Sequence, residues 1–348
     1  MKNKVAYLTG IGKLELREED MPICGDDEII LKNEYMGICG SDLFFFGDHA
    51  GEIADGVYKL PFIIGHECAG VIEEVGKNVH NIKHGDKVAL EPGVPCGTCE
   101  FCKSGRYNLC PEVKFMAAPP YFNGAMRRYI NFPAHMAFKL PDNVDTLAGA
   151  LIEPLAIGIH SSKRSGVGLG DTVVILGAGC IGLTLLLSAK ARGAAKVIMV
   201  DIHDNRLNKA KELGAFAVIN SNNENVEEKV TALLDGDLPN FVFEAAGTPQ
   251  TVQMAAKLVK RGGTILMVGS VNLPTSLKFY ELTEKEVNIV FSFRYCNMYP
   301  VAIEAVASGK IDIRSIVTDI FDFEGVQNAF EMAERNKQSV VKGVLKFQ

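Results

Sequence analysis

The chain has 348 residues, enough for two domains, since single hydrophobic cores stop growing at roughly 250–300 residues. Its composition, 47% hydrophobic and 22% charged, is that of an ordinary globular protein. A net charge of -6 argues against nucleic acid or an acidic membrane surface as partner, because both select basic patches.

The first residues, Met1-Lys2-Asn3-Lys4-Val5, lack the apolar core of a signal peptide, so the expected location is the cytoplasm. Residues 1 to about 95 read as short strands broken by Gly, Asp and Pro, for example Val5–Leu8, Glu28–Lys32 and Ala69–Gly76. Gly85-Asp86 reads as a turn into a further strand from Lys87. The texture changes at Asp171. Strands at 173–177, 196–200, 217–219, 241–245, 264–268 and 287–291 alternate with helical stretches such as 206–213 and 251–259, the pattern of a doubly wound parallel sheet. A helix at 300–308 and a strand at 343–347 form a tail too small to fold alone. The expected class is α/β: a mainly β domain over 1–155, a Rossmann domain over 156–295, and a segment, 296–348, returning to the first domain. The apolar run 173–189 contains Gly177, Gly179 and Gly182 and is shorter than the ~20 residues of a bilayer span. It is read as a strand entering a buried helix, and no membrane partner is expected.

Val173–Leu176 is followed by Gly177-Ala178-Gly179-Cys180-Ile181-Gly182, a G-x-G-x-x-G run in the strand-to-helix context that gives the motif its meaning. Gly177 permits the tight turn, Gly179 the approach of a pyrophosphate, and Gly182 the packing of helix on strand, with Ile181 in the same loop. Asp201 ends the next strand and suits the ribose hydroxyls, which favours NAD over NADP; Arg206 is read as stacking on the adenine. Val268, Gly269 and Ser270 fall where a dinucleotide crosses the carboxyl edge of the sheet.

Nine cysteines in a cytoplasmic chain point to metal or reactive thiols more than to disulfides. Cys96, Cys99, Cys102 and Cys110 have the spacing of a closed tetrahedral zinc site, Cys110 lying across the longest gap. Cys39, His66 and Glu67 offer a thiolate, an imidazole and a carboxylate, and three ligands with an open fourth position make a catalytic set. The alternative is that Cys39 is a small buried apolar residue and His66 a satisfied core histidine.

Gly37-Ile38-Cys39-Gly40-Ser41-Asp42, Gly65-His66-Glu67, Glu91-Pro92-Gly93, Cys102–Leu109, Leu151-Ile152-Glu153-Pro154-Leu155 and Phe293-Arg294-Tyr295-Cys296-Asn297 together resemble the zinc-dependent medium-chain dehydrogenases. The last run is similar to the sorbitol (polyol) dehydrogenases in particular. The resemblance implies a GroES-like catalytic domain, a Rossmann domain, NAD, and one catalytic and one structural Zn²⁺. It places Cys39, His66 and Glu67 on the catalytic zinc, with Glu153 near it through water or as a direct ligand. It also implies Phe45, Phe115, Arg294 and Tyr295 as substrate contacts, Phe293 beside the cofactor, and a homotetramer with a dimer as alternative. The reaction implied is reversible oxidation of a polyol to a ketose, with Glu153 assisting proton removal. Phe44 and Phe45 stand where relatives often carry His and Tyr, and Ala118 where a Thr is seen. Ser41 and ordered water are then the remaining candidates for the proton exit. The rival readings are a zinc dehydrogenase for threonine, a vicinal diol or a sugar-alcohol phosphate, and a non-catalytic NAD- or zinc-binding protein.

Overall fold

The computed structural model describes residues 2–47, 59–118, 122–336 and 338–348. The chain forms two compact units, Met1–Glu153 with Tyr299–Gln348, and Pro154–Met298. In the first unit, Glu28–Gly37 and Glu67–Val75 pair antiparallel in the middle of a seven-stranded sheet. The sheet runs Asp319–Asp322, Gly343–Lys346, Glu28–Gly37, Glu67–Val75, Lys87–Leu90, Ala137–Lys139, with Tyr129–Pro133 also paired to Glu28–Gly37. The expected early strands Val5–Leu8 and Glu28–Lys32 lie inside Lys2–Gly10 and Glu28–Gly37, and the one expected over Ala69–Gly76 is Glu67–Val75, ending one residue sooner.

Leu8, Ile29, Leu31, Ile72, Val88 and Ile130 are buried in one core, each contributing about 1.5–3 kcal/mol by leaving water. The helix Val326–Arg335 adds Val326, Ala329, Phe330 and Ala333, a three-four spacing that gives it one apolar face. One pairing matters for the chemistry. Val344 lies opposite Gly37, and Ile38 N–H donates to Gly343 O at 2.9 Å, so the Gly343–Lys346 strand lies beside the entry to Cys39.

The second unit holds six parallel strands in the order Ala217–Asn220, Lys196–Asp201, Thr172–Leu176, Phe241–Glu244, Thr264–Met267, Asn288–Phe291. This is the doubly wound arrangement, in which central strands are covered on both faces and read as unbroken apolar runs such as Val173–Leu176.

Element ends differ from expectation by a residue or two, with local causes. The first strand stops at Leu176 because Gly177 takes φ +106. The strand expected to reach 245 stops at Glu244, whose Oε1 accepts from the Ala246 and Gly247 N–H groups at 3.0 and 2.8 Å and turns the chain. The helix expected from 251 begins at Pro249. Thr248 caps it by accepting from Thr251 N–H at 3.2 Å, and proline fills the first turn, where its missing N–H costs nothing. The helix expected over 206–213 is Asp204–Glu212, and the one expected over 300–308 is Tyr299–Ala307. Among the described residues, no helix is long and apolar enough to cross a membrane.

Candidate active site

Cys39 precedes the short helix Gly40–Phe46, and His66 and Glu67 stand at the start of the Glu67–Val75 strand. One carboxylate ties these segments together. Asp42 Oδ2 accepts from Cys39 N–H and Oδ1 from Gly65 N–H, both at 2.9 Å, while His66 Nδ1 lies 3.7 Å from Oδ1. Gly65 allows the close turn: it has φ +95, and a Cβ there would lie 2.2 Å from Met36 Sδ. Ligand atoms of Cys39, His66 and Glu67 all come within 4.8 Å of one another, His66 and Glu67 buried and Cys39 partly so. The Phe115 ring packs 5.7 Å from that of His66.

The electrostatics of this group suit a cation. Burial works to lower the pKa of His66, yet Cys39, Asp42 and Glu153 around it raise it well above the ordinary histidine value. Asp42 is pushed up, by its burial above all. A pocket that makes an imidazole hold a proton also favours a metal ion in its place. Glu153, buried in the first turn of Ile152–Ser165, lies outside the three-residue group but close enough for its charge to act on His66. Ser41 is exposed on the short helix, and Phe45 packs edge-on at 5.7 Å against Phe62.

The second cluster is Cys96, Cys99, Cys102 and Cys110, with their sulfurs mutually within 4.8 Å. Four sulfurs held about 2.3 Å from one tetrahedral centre would be about 3.8 Å apart. The Cys99–Cys102 and Cys96–Cys102 separations are 3.4 and 3.9 Å. Backbone N–H groups already face the thiols, Cys99 toward Cys96 at 3.4 Å and Cys96 toward Cys110 at 3.5 Å. The Thr98 hydroxyl and the Thr98 and Cys99 amides pull Cys96 down to about 6, whereas burial and the neighbouring thiols push Cys102 up to about 12. The lobe also reaches outward: Tyr107 donates to Glu91 Oε1 at 2.8 Å, and Glu91, buried on the loop after Lys87–Leu90, is raised to about 7, chiefly by desolvation.

In the second unit, Gly182 is fixed by packing, since a Cβ would lie 1.9 Å from Gly177 O. Gly179 is different. A Cβ there would meet only Arg206 Nη1 at 3.9 Å, so open space lies in front of the N-terminus of Cys180–Ala191, Ile181 included in its first turn. Asp201 is buried, accepting from Ala178 N–H at 2.7 Å and His203 N–H at 2.9 Å, with Arg206 Nη1 at 3.8 Å. Val268 and Gly269 donate to Glu244 O, and Ser270 backs onto Gly247. Arg294 takes φ +49, its guanidinium lying 4.9 Å from the centre of the exposed Phe293 ring, and Tyr295 is buried.

Three residues beside these groups carried no role in the sequence reading: Asp42, Glu91 and Lys342. Asp42 and Glu91 fall inside the quoted motifs, so proximity was the available signal. Lys342 has none, and its Nζ is ion-paired to Glu67 Oε2.

A GroES-like β unit carrying clustered metal donors, together with a dinucleotide-type parallel sheet, defines a metal-dependent dehydrogenase. The comparisons agree. The Alcohol dehydrogenase GroES-like domain family matches residues 25–142, and the Zinc-binding dehydrogenase family matches residues 180–308. The chain is 43% identical to the uncharacterized zinc-type alcohol dehydrogenase-like protein YdjJ of Escherichia coli K12, over 99% of both chains. It is 42% identical to the sorbitol dehydrogenase of Bos taurus, over 96% of this chain and 94% of that protein. A short chain alcohol dehydrogenase (rspB) from Escherichia coli CFT073, solved with the cofactor NADH, superposes with a TM-score of 0.91 at 31% identity, covering 99% of each chain. The chain belongs to the zinc-dependent medium-chain dehydrogenase family, close to sorbitol dehydrogenase.

Proposed function

We propose that this oxidoreductase is an NAD-dependent polyol dehydrogenase, oxidising a secondary alcohol at C2 of a sugar alcohol to the ketose. The observation that carries the reading is the Cys39, His66 and Glu67 group: one thiolate, one imidazole and a carboxylate, in a chain 42% identical to a sorbitol dehydrogenase. Zn²⁺ bound there supplies Lewis acidity toward an alcohol oxygen, and the nicotinamide ring is the hydride acceptor.

The chain's own residues do the rest. Cys39, His66 and Glu67 would hold the catalytic zinc, with Asp42 fixing the two ligand segments. Glu153 is the nearby carboxylate suited to take the alcohol proton through water. The cysteines of the lobe would hold a second, structural zinc, as their near-tetrahedral sulfur spacing supports. Gly179 leaves the helix N-terminus open to a pyrophosphate, and Asp201 offers its carboxylate to ribose hydroxyls and repels a 2′-phosphate. Arg206 shares its charge with Asp201, which weakens it as a phosphate anchor. Arg294 and Tyr295 are assigned to the hydroxyls of the substrate, with Phe45 and Phe115 as apolar wall. Buried donors matched to several hydroxyls reject simple alcohols strongly.

A panel of sorbitol, xylitol, iditol, galactitol, threonine, butanediol and phosphorylated polyols, each with NAD and NADP, tests this through absorbance of the reduced cofactor. The expected result is NADH formation with an unphosphorylated polyol. Turnover confined to threonine, butanediol or a phosphorylated polyol would overturn the substrate assignment.

A further inference from the structure

Glu67 and Lys342 make a pair that the metal reading leaves unexplained. Lys342 Nζ meets Glu67 Oε2 and donates to Ile38 O at 3.1 Å, with side-chain exposures of 1% for the lysine and 2% for the glutamate. Burying an ammonium group is costly unless it is paired and hydrogen-bonded, so a lysine here has to be held. Three features hold it. A Cβ on Gly37 would lie 2.0 Å from Glu67 Oε2 and 3.0 Å from Lys342 Cε, so a glycine opens the space that the pair fills. Thr318 fixes the backbone: its Oγ1 accepts from Val341 and Lys342 N–H at 3.1 and 3.3 Å, and its own N–H donates to Lys342 O at 3.0 Å. The strand that follows, Gly343–Lys346, is registered with Val344 opposite Gly37.

We infer that Lys342 is a positioning residue for Glu67, holding one carboxylate oxygen so that Glu67 offers a metal a single, exchangeable oxygen. The inference rests on the reading that Cys39, His66 and Glu67 hold zinc. The buried ammonium repels a divalent ion placed beside it and so acts against metal retention, and a carboxylate oxygen held by an ammonium is the poorer donor of the two, so Glu67 ligates through its other oxygen. The C-terminal segment thereby tunes a site whose donors all come from residues 39–67.

Zinc transfer from the full-length protein to a colorimetric chelator tests this, following the kinetic phase that Cys39→Ser removes. Lys342→Met frees both oxygens of Glu67, and that phase should slow by about tenfold or more. In the Co²⁺-substituted protein the visible bands should weaken as the coordination number rises. Lys342→Arg keeps the charge, and its fork can hold both oxygens, so the same phase should quicken. This variant decides the matter alone if Lys342→Met does not fold. An unchanged or faster phase in Lys342→Met, or an unchanged or slower one in Lys342→Arg, overturns the inference. A wild-type protein with no Cys39-dependent zinc phase would instead sink the zinc reading itself.

Discussion

The four-cysteine lobe draws all its donors from residues 96–110, whereas the Cys39, His66 and Glu67 group draws on two separate segments, and its buried counter-charge, Lys342, comes from a third. The lobe is half-exposed, made of one donor type and lined by backbone amides, so a metal there can be satisfied without the rest of the fold. The other group is buried and chemically mixed, with Asp42, Glu153 and Lys342 close by. A centre that a short loop can close has no need of surrounding charges. A centre meant to release and rebind a ligand depends on them, which is why structural and catalytic zinc sites differ in composition.

The largest expected effect separates the two centres outright. Cys39→Ser should lower polyol turnover by about a thousandfold or more while NAD binding, measured by titration, is retained. Cys99→Ser should do the reverse. It should cost stability on the order of 3–5 kcal/mol in denaturant unfolding, with the activity of the remaining folded protein changed only a few-fold. A comparable loss of turnover per folded molecule from both variants would break the distinction.

Tyr107→Phe probes the hydrogen bond that joins the lobe to the loop after Lys87–Leu90. Glu91 is raised to about 7 from a usual carboxyl value, so the unfolded state releases its proton first, and Glu91 costs stability as pH rises from about 4.5 to about 7. Tyr107 favours the ionised form. Removing its hydroxyl should therefore cost about 1–3 kcal/mol at pH 8 and less at pH 5, read from unfolding curves at the two pH values. The smallest effect belongs to a residue in neither centre. His160 is held down to about 4, mainly by burial, so the unfolded state takes up protons first and stability falls as pH drops from about 6.5 toward 4. His160→Phe should flatten about 1–2 kcal/mol of that acid loss, leaving the part due to other groups.

What could be read from the sequence followed from how local each constraint is. The glycine motif was legible because packing at Gly182 and the turn at Gly177 act within a few residues, and the cysteine lobe because its spacing is its geometry. The parallel strands were legible as apolar runs. Their ends were not, because Glu244 and Thr248 redirect the backbone with side-chain bonds that no hydrophobic pattern encodes. Glu67 was legible as a ligand candidate beside His66. Its pairing with Lys342 was not, because sheet register sets it between segments far apart in the chain, and a lysine without a visible partner reads as solvent-facing.

The seven-stranded sheet has a further consequence for the order of assembly. Pro154–Met298 is one continuous stretch, whereas the other unit is interrupted by it and regains its Gly343–Lys346 strand only from the far side. During synthesis the parallel-sheet unit therefore has all its residues before the sheet around Cys39 does, and that sheet still has an open edge along Tyr35–Gly37. Metal that arrives early meets Glu67 before any lysine has been delivered to it. The affinity of the nascent site and that of the finished one are two different quantities.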